Sequence, residues 1–313
     1  MITTKTKYKS EAILIFVTVL WGGTFAIVKE ALNDISSMAF ITARFSIAGI
    51  ILLIFMREKI FTKQNIYSGI FLGTLLFAEF AVQTIGLKFT TATKSGFLTG
   101  TAVIMVPLLQ IVIEKRKPTK GVTIGTILVL IGISFLSSGG SSILNLFSDI
   151  GYNFNLGDFL TLTSALFFAL YIIYLDIETS KHDFWILLFL QFVTAAFLSG
   201  IFLFVFSAIN LEPIKIDLTQ NLIFAIAYTS IFATLIATAL QTKYQKDVTP
   251  AKAGIIFSFE PVFSAILAFI LLSEKITNFG YFGAALIMLG LLISELYENL
   301  FLKDKLIKYI KER

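Results

Sequence analysis

The chain of 313 residues contains no cysteine, one histidine and five prolines, and only 14% of its residues are charged. Without cysteine there are no disulfides and no thiolate metal sites. His182, the one histidine, makes no metal cluster by itself and reads as a solvated loop residue. Soluble domains carry roughly a quarter charged residues, and a soluble fold this poor in charge would leave large apolar patches in water. Cytosolic enzymes, disordered chains and nucleic-acid binders are disfavoured on that ground. No glycine-rich loop followed by Lys-Ser or Lys-Thr occurs, which argues against direct drive by ATP.

Apolar residues are abundant: 57% of the chain is hydrophobic, with 33 phenylalanines. Long apolar runs predict helices near residues 11–29, 38–56, 66–87, 95–113, 121–138, 157–175, 184–206, 220–242, 250–272 and 278–297. Each is close to the ~20 residues needed to cross a bilayer. The expected organisation is a cytoplasmic N-terminus (1–10), a first five-helix repeat (11–138), and an external linker rich in Ser, Gly and Asn (139–156). A second five-helix repeat (157–297) and a basic amphipathic tail (298–313) follow. The first run comes after Lys5, Lys7 and Lys9, as a secretory signal would, but its length and the poor cleavage site at Trp21-Gly22-Gly23 favour a retained helix.

Of the 25 Lys and Arg residues, 19 fall on the side of the N-terminus and five (Lys29, Lys88, Lys94, Lys215, Lys275) on the other, with Arg44 inside a helix. Cationic loops stay in the cytoplasm, so both termini are expected there, in a cell (inner) membrane. The same split accounts for the net charge of +5 without any nucleic acid.

A shift of 158 positions aligns the two halves at Gln83/Gln241, Lys88/Lys246, Thr91/Thr249, Lys94/Lys252, Gly96/Gly254, Thr119/Thr277, Gly125/Gly283 and Gly132/Gly290. Five helices is an odd number, so the second repeat enters the membrane from the opposite side. The expected fold is therefore an all-α integral membrane protein of ten transmembrane helices in two inverted five-helix repeats. Inverted repeats typify secondary transporters, with the site near the midplane where the repeats meet. Small-residue ladders (Gly69/Gly73, Ala92/Gly96/Gly100, Gly121/Gly125) read as helix-packing faces.

Four motifs carry a family resemblance. They are Trp21-Gly22-Gly23-Thr24-Phe25, the stretch Gln83-Thr84-Ile85-Gly86-Leu87 through Thr90-Thr91-Ala92, Leu156-Gly157-Asp158, and Glu260-Pro261 followed by Leu272-Ser273-Glu274-Lys275. In this order and spacing, over roughly 11–297, the chain resembles the EamA family of the drug/metabolite transporter superfamily. The resemblance implies ten helices, inverted halves and export or exchange of small metabolites. Glu79 departs from it, standing where such sequences more often carry a small or apolar residue.

Charged groups in hydrocarbon need a partner or a water-filled cavity. Arg44 and Glu79 lie about 9 and 12 Å from the outer ends of helices two and three at 1.5 Å per residue, close enough to pair. The pair is either a static lock, or Glu79 binds a proton or a cationic group of the solute with Arg44 as alternating partner. Gln83 is one turn from Glu79 on the same face. Glu260 lies near the midplane, where Pro261 would free a backbone carbonyl and act as a hinge, or merely kink a packing helix. Trp21 is a candidate cavity wall or a packing residue; Tyr171 and Tyr228 are candidate lining, and Gln241 enters as the repeat partner of Gln83. In the tail, Leu302, Leu306 and Ile310 share a face among basic residues, suited to an anionic leaflet or to a solvated tail.

The function these features favour is secondary transport, by export or exchange, of a small organic metabolite such as an amino acid or drug-like compound. The alternative is a non-transporting structural or signalling membrane protein; a membrane-embedded enzyme would need nucleophile, base or metal groups that the sequence does not supply. Expected partners are a small-molecule solute and the lipid bilayer, with a proton as candidate coupling ion. No cofactor, metal or catalytic residue is expected, and no oligomeric state follows.

Overall fold

A computed structural model of the chain describes residues 4–56, 62–114, 120–137, 153–179, 181–245 and 256–311. Apart from one isolated bridge between Ile35 and Ile216, the regular structure among them is helical. The first half has spans at Thr4–Ala31, Ser37–Leu53, Lys63–Phe89, Ala92–Gly100 with Ala102–Glu114, and Lys120–Ser137. The second half has Leu156–Thr179, Phe184–Ala208, an eighth span in three pieces, Glu260–Leu272 and Asn278–Lys311. The eighth span runs Gln220–Ala227, a π-helical segment Tyr228–Ile236, and Ala237–Gln245. Five spans (one, three, six, seven and eight) are long and apolar enough on their own to cross a membrane. The others are shorter apolar helices or, for the fourth, a broken one.

Short polar side chains start several spans. The hydroxyls of Thr62, Thr91 and Thr219 accept from the backbone N–H three residues on at 3.1–3.2 Å, and Asp183 accepts from Trp185 and Ile186. Each satisfies a donor that the first helical turn leaves open.

The contacts between halves obey a pseudo-two-fold rule. The principal cross-half neighbours are spans one and eight, one and nine, two and seven, two and eight, three and six, three and seven, four and six, four and nine, and five and ten. Moving every span on by five, with ten following five, returns the same set. Spans five and ten show why glycine marks the repeat. A Cβ on Gly125 would meet the Gly290 carbonyl oxygen at 2.6 Å, and one on Gly132 would meet that of Gly283 at 2.7 Å. The four glycines matched by the sequence shift thus meet in two equivalent crossings, with the spans antiparallel. The other ladders also face the opposite half: Gly73 lies on Gln191 and Thr194 of span seven, Gly100 on Pro261 of span nine. One apolar core joins spans two, three and seven around Phe45, Leu72 and Phe192; another joins four, five and ten around Phe97, Ile287 and Leu291.

Four expectations change. The fourth span, expected unbroken over 95–113, breaks at Thr101. The ninth, expected unbroken over 250–272, is helical at 256–257, turns at Ser258 and Phe259 and resumes as the helix Glu260–Leu272. Pro261 therefore stands in the first helical turn, where its missing N–H costs no hydrogen bond, instead of kinking a helix interior. The tenth helix passes position 298 without a break and ends at Lys311. The side chains of Leu302, Leu306 and Ile310 lie outside the described residues, as does most of the 139–156 linker.

Candidate functional site: a central cavity between the halves

Two helix breaks meet at the centre of the protein. Thr101 and Phe259, the break positions, are repeat equivalents under the 158-residue shift. A Cβ on Gly100 would lie 2.6 Å from Pro261 Cγ, so the broken helices touch at their breaks. Discontinuous spans of this kind present helix ends inside the membrane. Glu260 is the first residue of the ninth-span helix, where open N–H groups and the helix dipole favour a carboxylate.

Beside this junction lies a cavity to which every described span except five and ten contributes a side chain. Span one supplies Trp21 and Thr24, span two Arg44, span three Glu79 and Gln83, span six Phe168 and Tyr171. Span eight supplies Ala233, Thr234 and Gln241, and span nine Glu260. Gln83 and Gln241, equivalent positions of the repeat, thus line one cavity from two halves. Among the sequence candidates, Tyr228 stands apart: its hydroxyl donates to the Leu20 carbonyl at 2.9 Å, and its ring packs against span one near Trp21.

The polar groups are held in a definite pattern. Trp21 Nε1 donates to the Ala233 carbonyl at 3.0 Å, and Tyr171 donates to Gln191 Oε1 at 2.7 Å. Gln83 Nε2 donates to Thr99 Oγ1 at 3.3 Å. Arg44 Nε donates to Thr234 Oγ1 at 2.6 Å, with the guanidinium over the Phe80 ring at 4.3 Å. Arg44 and Glu79 are 4% exposed each and share the cavity, yet among the described residues no ion pair within 4 Å joins them. Glu79 Oε2 is buried without a hydrogen-bond partner. The direct pair read from matched depths is thus not formed, because Thr234 holds Arg44 toward span eight.

Ala233 and Thr234 were not sequence candidates, and both come from the π-helical segment. Its wider turn leaves carbonyls off the ordinary i→i−4 ladder, and such segments often accompany functional sites. The Trp21 bond is made to a carbonyl of this segment, that of Ala233. A threonine in an apolar helix usually bonds its own i−4 carbonyl, as Thr229 does to Ala225 at 2.7 Å, so the sequence does not separate Thr234 from its neighbours.

At one end of the spans polar contacts gather, most of them between halves. Lys88 pairs with Glu212, which also accepts from the Ser37 N–H at 2.8 Å. Asp158, fully buried, accepts from Thr90 and lies 3.4 Å from Lys94. Glu274 accepts from the N–H groups of Ala92 and Thr93 at 2.8 and 3.0 Å, capping the fourth span from the second half. Ser273, in the left-handed region at φ 53°, turns the chain so that Glu274 reaches that helix end. Lys29 donates to the carbonyls of Leu87 and Thr90 at 2.8 and 2.6 Å.

Both halves match one family profile, that of the EamA-like transporter family, over residues 9–138 and 155–296. The chain belongs to this family. A protein of Archaeoglobus fulgidus named "Uncharacterized transporter" is 34% identical over 284 residues, covering 90% of this chain and 84% of its own. The "Uncharacterized transporter YoaV" of Bacillus subtilis is 22% identical, covering 90% of this chain and 94% of its own. A solved crystal structure shares the fold with a TM-score of 0.65 at 15% identity, over 92% of this chain and 98% of that one. The EamA-like chain is thus an all-helical, multi-pass membrane protein of a transporter family, with ten spans in two repeats.

Proposed function

We propose that the protein is a secondary active transporter, an exporter or exchanger of a small organic metabolite such as an amino acid or drug-like compound, and that the solute binds in the central cavity. The observation that carries this reading is the position of the cavity on the seam between the repeats, with walls from eight spans and a helix break from each half beside it. Rocking one repeat against the other would expose such a cavity to either side in turn. The ties around Glu212, Asp158 and Glu274 close one end; by the bias of Lys and Arg that end is external, and both termini are cytoplasmic in the cell membrane. Glu79 and Glu260, two carboxyl groups in one cavity, are the groups through which a proton would couple to the solute.

Purified protein in proteoliposomes, challenged with a broad panel of labelled metabolites, tests the reading. At least one solute should accumulate saturably by counterflow and lose that uptake in Glu79→Gln. No uptake across the panel by folded, correctly inserted protein would favour a structural or signalling role.

A further inference from the structure

Arg44 carries a charge in the cavity that no carboxylate among the described residues meets directly. It is 4% exposed, and its one hydrogen bond among the described residues runs from Nε to Thr234. The rings of Phe80 and Phe45 lie 4.3 and 5.7 Å from the guanidinium carbon. Nε is tethered to Thr234 and the guanidinium lies over the Phe80 ring, while among the described residues its two terminal amino groups have no hydrogen-bond partner at the cavity wall. No carboxylate of a described residue stands within 4 Å.

A guanidinium does not release its proton in a protein, and an ion buried in a membrane protein needs a counter-charge or water beside it. Glu79 and Glu260 line the same cavity, but a carboxyl group can remove its own charge by taking up a proton. Arg44 cannot. Of Arg44, Glu79 and Glu260, Arg44 alone therefore requires a partner of opposite charge.

We propose that Arg44 is the docking group for the solute, and that the solute is an organic carboxylate held two-pronged by the free amino groups of the guanidinium. The inference rests on the central cavity being the transport site. Two parallel N–H···O bonds match the planar carboxylate, a fit that lysine does not offer. Trp21, Phe168 and Phe192 give the organic body an apolar wall. Charge balance then assigns the proton a part. In the empty cavity one of the two glutamates, ionised, is the counter-ion of Arg44. Once the solute carboxylate occupies Arg44, neutrality requires both glutamates protonated, so one proton binds with each anion. The remaining titratable groups nearby, Tyr171 and Tyr228, serve as neutral donors to Gln191 and the Leu20 carbonyl.

The chain has two tryptophans, Trp21 in the cavity and Trp185 at the exposed start of span seven, so Trp185→Phe leaves Trp21 emission as a binding reporter. The probes are phenylacetate and hexanoate, each beside its amide and its amine. Carboxylates should bind at least about tenfold more tightly than their amides and amines, the equivalent of one charge-assisted bond. Arg44→Gln should erase that advantage, and Arg44→Lys should restore only part of it. Thr234→Val, which keeps the charge but unties Nε, should weaken carboxylates several-fold and leave amides unmoved; it remains readable if Arg44→Gln does not fold. Between pH 8 and 6 carboxylate affinity should rise, by up to about tenfold per unit for one linked proton, with no such trend for amides. Equal or better binding of amides or amines, or carboxylate binding indifferent to both Arg44→Gln and Thr234→Val, overturns the proposal. So does silence from all six probes. Transport through the cavity is judged separately, by counterflow in proteoliposomes, and its failure there is distinguishable from any of these results.

Discussion

Glu274 offers a direct way to test whether the contacts between halves close one end of the cavity. Its two carboxylate oxygens accept from Ala92 and Thr93 at 2.8 and 3.0 Å. Glu274→Gln keeps the shape and one acceptor, leaves one N–H facing an amide NH2, and removes the negative charge from a helix N-terminus. A hydrogen bond to a charged group contributes about 1.5–3 kcal/mol, and a carboxylate at a helix N-terminus about 0.3–1 kcal/mol. Glu274 is partly solvated, so screening reduces the sum to about 1.5–3 kcal/mol. At 1.4 kcal/mol per tenfold, the tie should release about 10–100 times more often. The assay is the rate at which a membrane-impermeant thiol reagent, added outside, modifies Thr24→Cys in the cavity wall; the background has no other cysteine. Glu178→Gln is the control, because Glu178 accepts from Ser68 at 2.5 Å at the opposite end of spans three and six and should not raise the external rate. An external rate unchanged by Glu274→Gln would refute the reasoning that this contact helps hold the end shut.

Other perturbations address the repeat and the orientation. Gly125→Ala places a Cβ 2.6 Å from the Gly290 carbonyl oxygen, and Gly283→Ala, its repeat equivalent, falls at the matching crossing with Gly132. Each should cost about 1–3 kcal/mol of overpacking, and the two should lower the thermal denaturation midpoint to a similar extent; indifference at both positions would remove the crossing. A reporter fused after Arg313 should be active only in its cytosolic form, with Lys5 protected from external protease. An external signal at Arg313 would overturn the orientation read from the 19-to-5 charge split.

Physical constraint decided what could be read in advance. A bilayer demands about 20 apolar residues per helical span, so the ten runs are visible in composition, and spans three and seven fall within a few residues of the expected ends. The repeat was legible through Gly125, Gly132, Gly283 and Gly290 because a close helix crossing admits no other side chain. Buried charge also stands out in an apolar run: Arg44, Glu79 and Glu260 were found by that alone, and the structure sets all three around one cavity. The helix breaks were harder. Thr101 follows a glycine with no proline beside it, and Pro261 is equally at home in a helix interior or a first turn until the turn at Phe259 is seen. The π-helical segment Tyr228–Ile236, which packs against spans one and two, has no composition of its own to mark it. That segment carries Thr234 and turns Arg44 away from Glu79. Aromatic residues are too abundant in this chain for Tyr228 to stand out, and its hydroxyl is used on a backbone carbonyl.

The most direct measurement of whether the central cavity is the transport pathway uses the absence of native cysteine. Trp21→Cys, Glu79→Cys, Gln83→Cys and Glu260→Cys, made one at a time, place a thiol on spans one, three and nine of the cavity wall. Each should react with a water-soluble thiol reagent, and a solute that exchanges in proteoliposomes should slow the reaction at all four. No reaction at any of them, whichever side the reagent is added to, would contradict a solute-accessible cavity between the halves.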